Sequence, residues 1–168
     1  LLRVILANGT RNYFVHTSNA DGCFVRAGFD PQRVYTPQGD FDVGQCLRPC
    51  RPDAVFAMRP LIEALEPLVN DATGAVPRDR VPTCRFCGGP VWANVRGGSF
   101  FTHRPHDDAN ARLRAWLRDA AAKRESVVVL EVGAGFNTPT VTRFVMEAVV
   151  ADASLNARLV RVNPNAKD

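Results

Sequence analysis

The sequence predicts an α/β layered domain that carries a small cysteine-rich module. Three observations lead there. Short runs of strand composition alternate with helical stripes. One run, residues 127–132 (VVVLEV), is apolar but for Glu131, as suits a parallel strand buried on both faces. Four of the five cysteines, Cys46, Cys50, Cys84 and Cys87, fall in a single proline-rich stretch. At 168 residues, 46% apolar and 23% charged, the chain has the composition of one globular domain with a modest insertion and not of a disordered tail. No apolar run approaches the roughly 18 residues that span a bilayer. The net charge of +4 rests on scattered arginines interleaved with acids, without the basic stripe and aromatics of a nucleic-acid surface. Neither a membrane nor a nucleic acid is therefore expected as a partner.

The elements follow in order. The chain opens at Leu1 inside an apolar stretch, without Met, and Gly9 reads as a helix C-cap, which leads us to expect a fragment or a processed chain. Residues 13–18 (YFVHTS) read as a buried strand with His16 inside it as a core or edge histidine. Residues 21–27 form a short helical turn closed by Gly28, with Cys23 as a small buried hydrophobe, and 34–36 form a second strand before a loop at 37–40. A helix at 54–68 is expected to bend near Pro60 and Pro67. Ala109, Leu113, Trp116, Leu117 and Ala120 recur at helical spacing. Thr138 can N-cap a helix that begins at Pro139 and buries Val141, Phe144, Val145, Ala148 and Val149. A final strand covers 159–162. This order divides the chain into an α/β part at 1–45, a module at 46–93 and a returning α/β part at 94–168.

The strongest motif from spacing alone is Cys46-x3-Cys50 followed by Cys84-x2-Cys87. Two short pairs can each grip one side of a tetrahedral zinc ion, and four thiolates leave no open position, so the site would be structural. Two disulfides are the alternative. The odd fifth cysteine and the lack of a signal peptide speak against them and for a reducing, cytoplasmic compartment. Gly133, Ala134 and Gly135 follow the apolar strand and precede a helix, where they read either as a nucleotide-approach turn or as a tight turn only. Ser18, Asn19 and Asp21 stand just past one strand and Asn163 just past another, the edge at which open α/β sheets bind ligands. His103 and His106 share a proline-containing loop with only weak metal character.

Taken together these residues resemble the sirtuin family. Thr17-Ser18-Asn19-Ala20-Asp21-Gly22-Cys23-Phe24, continuing to Ala27-Gly28, looks like the family's T-Q-N-I-D-G-L-H-x-x-A-G; Gln38-Gly39-Asp40 stands where the family has H-G-S. The two cysteine pairs follow in the family's order, Gly133-Ala134-Gly135 is similar to its G-T-S turn, and Val162-Asn163 to its closing I-N. The combination is most similar to the class M, macrodomain-linked sirtuins, whose N-x-R is here Asn94-Val95-Arg96. The family's N-terminal G-A-G-x-S segment, which cradles the pyrophosphate, is not found in these residues, and Arg96-Gly97-Gly98-Ser99-Phe100 stands in place of its F-G-E strand.

The resemblance implies a Rossmann-like parallel sheet with helices on both faces, incomplete at the N-terminus, plus a zinc module. It implies NAD as co-substrate, with Ser18, Asn19, Asp21, Gly133, Ala134, Gly135 and Asn163 as its contacts, and Asn19, Gln38 and Arg96 as the catalytic set. Glutamine has no proton-accepting pKa near neutrality, so Gln38 in place of the family's general-base histidine favours transfer of ADP-ribose to a protein over deacylation of lysine. The family-implied acceptor is a lipoylated carrier protein. An NAD-dependent deacylase and a non-catalytic zinc-containing module are the alternatives.

Overall fold

The computed structural model describes residues 12–48 and 50–164; the helix end expected at Gly9 lies outside them. The described residues form a mixed α/β structure with small parallel and antiparallel sheets. The chain divides into two compact units, the first made of residues 1–18, 24–37 and 108–168 and the second of 19–23 and 38–107.

In the first unit, β1 (Val15–His16) pairs in parallel with β2 (Val34–Tyr35). The short helix α1 (Cys23–Arg26) follows β1 and is closed at Gly28 in a left-handed conformation, φ +93°, which glycine adopts without strain. Phe24 and Tyr13 both meet the buried Phe29 ring edge-on, at 5.3 and 5.4 Å between centroids. Cys23, expected to be buried, is exposed: the short helix turns Phe24 inward, and the cysteine falls on its outer side. Helix α3 (Asp107–Ala122) carries the expected stripe and buries Leu113 and Ala120.

Strands β6 (Ser126–Val132) and β7 (Asn156–Val162) pair in parallel over their whole length. The expectation of burial on both faces is not met. Val127 and Glu131 are buried, but Val128 is 64% exposed, and Leu130, Val132, Val160 and Val162 are exposed as well. The covered face packs against α4 (Arg143–Ala151). This helix starts four residues later than expected. The residues after Pro139 form turns, with Val141 N–H bonded to the Thr138 carbonyl at 3.1 Å, and Thr142 at the N-cap makes no side-chain cap bond. Its buried residue is Arg143, whereas Phe144 and Val145, expected inside, are exposed. Ion pairs decide this face. Glu131 and Arg161, side by side on β6 and β7, pair with each other, Arg161 reaches Glu147 at 2.7 Å, and Glu147 meets Arg143 at 3.3 Å.

The second unit is built on β3 (Gly39–Cys46), which runs between β4 (Val55–Ala57) and β5 (Val91–Val95), antiparallel to both. The expected loop at 37–40 thus already contains the first two residues of β3. The expected helix at 54–68 also changes character: Val55, Phe56 and Ala57 pair with Gln45, Gly44 and Val43, and the helix proper is α2 (Met58–Leu65). Strand pairing outweighs local helical pattern here. Pro60 falls in the first turn, where its missing N–H costs nothing, and Pro67 opens a 3₁₀ turn at Glu66–Leu68. Cys46, Ala54 and Cys84 form the unit's core, with Phe56 and Val91 packed against it. No helix among the described residues is long and apolar enough to cross a membrane.

Gly39 fixes how closely β3 and β5 approach. It has φ +108°, and a Cβ placed there would overlap the Asn94 carbonyl. Gly39→Ala should therefore destabilise the protein by about 3 kcal/mol or more, through strain and forced strand separation. Chemical denaturation of the two proteins side by side checks this; a change within about 0.5 kcal/mol would show that the approach is not needed.

Candidate functional site

At one end of β3 the four cysteine sulfurs gather within 4.8 Å of one another. Cys46 ends the strand; Cys84 and Cys87 sit in a tight knuckle in which Cys84 N–H bonds the Gly89 carbonyl at 2.7 Å, Gly88 N–H bonds the Cys84 carbonyl at 2.8 Å, and Gly88 has φ +67°. Gly89 N–H points at Cys87 Sγ, 3.4 Å away. The thiols are free, not disulfides. Cys46 lies 3.6 Å from Cys87 and Cys50 lies 3.7 Å from Cys84, sulfur to sulfur. Sulfurs about 2.3 Å from a tetrahedral zinc ion are about 3.8 Å apart, so the donor set and its spacing fit the zinc ion that the sequence pattern predicts. Without a cation the crowded thiols resist ionisation unevenly. Burial, and then its sulfur neighbours, push the Cys50 thiol up to about 12. At Cys84 burial also acts upward, but backbone hydrogen bonds at Phe86 and Cys87 outweigh it and bring the thiol down to about 7. A divalent cation would remove that conflict by favouring the thiolate form of all four sulfurs.

At the other end of the same strand pair stand Gln38 and Arg96. Arg96 N–H bonds the Gln38 carbonyl at 2.9 Å, one step beyond the Gly39–Val95 pair. The Gln38 side-chain oxygen is buried and meets no hydrogen-bond donor among the described residues. Arg96 lies over the Phe101 ring at 4.4 Å, with Nη2 directed at the ring nitrogens of His103, 3.2 and 3.1 Å away. In the same unit Asn19 and Asp21 are exposed, on a segment tied to β3 by the Phe41 N–H to Ala20 carbonyl bond of 3.0 Å. Asp21 accepts the Cys23 N–H at 2.9 Å, so its carboxylate caps the turn into α1.

Beneath Arg96 lies a polar network whose wiring spacing did not reveal. Asn94 is 0% exposed and Gln45 1%. The Asn94 amide donates to Gln45 Oε1 and, at 3.0 Å, to the Thr102 carbonyl; its oxygen accepts from His106 Nε2 at 2.6 Å. Gln45 donates to the Phe100 carbonyl at 2.6 Å and accepts the Thr102 N–H at 3.2 Å. The Asn94–Gln45 bond joins β5 to β3, and the others tie the segment from Phe100 to His106 to the centre of the sheet. Asn94 was legible as part of N-x-R and His106 only as one of a histidine pair with weak metal character, whereas Gln45 carries no periodic or motif signal. Burial lowers the His106 pKa, partly offset by Asp40.

In the first unit Gly133, Ala134, Gly135 and Asn163 come together as expected. Gly133 has φ +68° and donates to the Val162 carbonyl at 2.9 Å; Asn163 reaches across to the Ala134 carbonyl at 3.2 Å. A Cβ on Gly135 would meet nothing within 4 Å, so that side of the turn is open. Ser18, half-buried, follows β1. His16 in β1 bonds the Val141 carbonyl through Nε2 at 2.7 Å, and burial lowers its pKa.

The chain is similar to two proteins named for ADP-ribose transfer. One is a "Probable bifunctional ADP-ribose hydrolase/ADP-ribosyltransferase" of Fusarium oxysporum f. sp. cubense, 37% identical over 94% of this chain and 26% of that protein. The other is a "Protein ADP-ribosyltransferase" of Staphylococcus aureus strain Mu50, 24% identical over 93% of this chain and 45% of that protein. The chain thus spans between about a quarter and somewhat under half of these curated relatives. No protein-family model matches it.

Two outcomes follow from this geometry. Metal analysis should find one zinc per chain, and Cys84→Ser should release it and lower the melting temperature of the second unit; metal-free protein with unchanged melting would defeat the assignment. The histidines set a pH dependence. Unfolded histidines take up protons near pH 6.5, whereas His16 and His106 in the fold do so only at lower pH, so stability is full above about 6.5 and is lost as the pH falls through the folded values. His106→Gln removes one titration, and its melting temperature should fall less between pH 7 and 5.5 than that of the parent; parallel curves would contradict the role of His106.

Proposed function

We propose that this chain is a sirtuin-type, NAD-dependent transferase of Rossmann-like fold that passes ADP-ribose to a protein acceptor. The observation that carries the reading is that two proteins named ADP-ribosyltransferases align along 94% and 93% of this chain. NAD supplies the ADP-ribose and nicotinamide as leaving group. Once the nicotinamide bond loosens, an oxocarbenium-like centre must be held open to the acceptor nucleophile, and that needs positioning groups more than a base.

The residues present suit that demand. The buried Gln38 oxygen, without a donor among the described residues, is an acceptor for a ribose hydroxyl and cannot take its proton. Asn19 is assigned to the ribose and Asp21 to the carboxamide of nicotinamide. Arg96, held against Phe101 and His103, is assigned to a phosphate or to an acidic group of the acceptor. In the first unit, the open side at Gly135 suits close backbone approach of the adenosine half, with Gly133, Ala134 and Asn163 beside it, and Ser18, which follows β1, is assigned to the dinucleotide as well. Zinc at Cys46, Cys50, Cys84 and Cys87 is structural in this reading. A lipoylated carrier protein is the proposed acceptor.

The test offers labelled NAD to the protein at its full natural length, with an acetylated peptide and a lipoylated carrier protein in parallel. Labelled carrier with little deacetylated peptide is expected, since a missing general base costs about 10²–10⁴-fold in deacylation. Asn19→Ala should abolish labelling, and Arg96→Ala should weaken it about tenfold. Deacetylation as fast as transfer would overturn the reading.

A further inference from the structure

Arg143 occupies a position that electrostatics disfavours. It is the first residue of α4, at the positive end of the helix dipole, and it precedes its acidic partner Glu147 by four residues, the weaker order for an ion pair. Its side chain is also buried, only 7% exposed. Its anchor is the chain of ion pairs from Glu147 through Arg161 to Glu131, in which two guanidinium groups balance two carboxylates. That balance leaves no surplus positive charge for an anionic ligand. What the guanidinium does face is a ring: Cζ stands 3.9 Å above the centroid of Phe136, and the buried Nη1 has no hydrogen-bond acceptor among the described residues. The aromatic face takes the acceptor's place.

Phe136 directly follows Gly133-Ala134-Gly135, and it is 55% exposed, so little else packs it down. The front of the turn is held by Gly133 N–H on Val162 and by Asn163 on Ala134. The Phe136 ring that follows the turn is covered by the Arg143 guanidinium.

We propose that Arg143 is a positioning residue. Anchored by Glu147, Arg161 and Glu131, it clamps Phe136 and so holds the glycine turn in the shape that meets the adenosine half of NAD; this last step rests on the transferase reading above. The clamp itself does not depend on that reading and can be observed without any ligand.

Hydrogen exchange at residues 134–137 in the ligand-free protein is the primary test. Phe136→Leu should speed exchange there about three- to thirtyfold, with β6 and β7 still protected, and Phe136→Tyr, which keeps the ring, should restore slow exchange. Arg143→Gln should reproduce the leucine variant, and should it fail to fold, the two Phe136 variants decide alone. Unchanged exchange in Phe136→Leu overturns the clamp. In transfer assays Phe136→Leu should raise the KM for NAD by a larger factor than it lowers kcat, with recovery in Phe136→Tyr. A clamp seen by exchange with an unmoved KM would overturn the link to the dinucleotide while leaving the transferase reading to its own test.

Discussion

The antiparallel pairing of β3 with β5 is the constraint on which the second unit depends. One end of the pair carries Cys46, drawn within 4.8 Å of three other sulfurs; the other presents the Gln38 carbonyl to the Arg96 amide. Between them Gly39 lets the two backbones come closer than any side chain would allow, and Gln45 and Asn94 fill the middle with hydrogen bonds. A metal ion held by the four sulfurs would sit at the far end of this strand pair from Gln38 and Arg96, and four sulfur ligands would leave it no position for a substrate.

Both units hold loops beside their sheets with buried polar groups where apolar packing is the commoner means. In the second unit each amide of Gln45 and Asn94 bonds backbone carbonyls or N–H groups of the segment that follows Arg96. Leaving one such group unpaired costs about 1–3 kcal/mol, so the network selects one arrangement of that segment strongly. In the first unit the Glu131–Arg161–Glu147–Arg143 chain fastens α4 to the sheet and turns a guanidinium towards Phe136. Directional bonds of this kind specify geometry more narrowly than methyl contacts do. They also explain why α4 buries Arg143 and leaves Phe144 outside.

Much was legible before any coordinates. The two Cys pairs announce a shared centre because ligand spacing within each pair is a local property, fixed by the few residues that must turn around the sulfur. Helix α3 was legible because a period kept over many residues outweighs any single neighbour, and β6 and the last residues of β7 were legible as runs of strand composition, while their pairing was not. The turn at Gly133 and its link to Asn163 could be anticipated from strand ends, since both residues follow strands that lie side by side.

Tertiary structure decided the rest. Residues 55–57 match a helical pattern as well as a strand pattern, and only their pairing with Val43, Gly44 and Gln45 makes them β4. The exposed face of β6 carries Val128, Leu130 and Val132, which composition alone placed inside. The burial of Gln45 and His106 has no signature in the chain, because their partner Asn94 lies 49 and 12 residues away, and that of Arg143 has none because its Glu147 is anchored by Arg161 and Glu131 on the sheet. Sequence by itself determined those features whose cause is local: metal-ligand spacing, helical period, glycine turns. Burial and hydrogen-bond partnership depend on what the fold brings alongside, and a polar side chain joins the interior only where distant residues supply its partners.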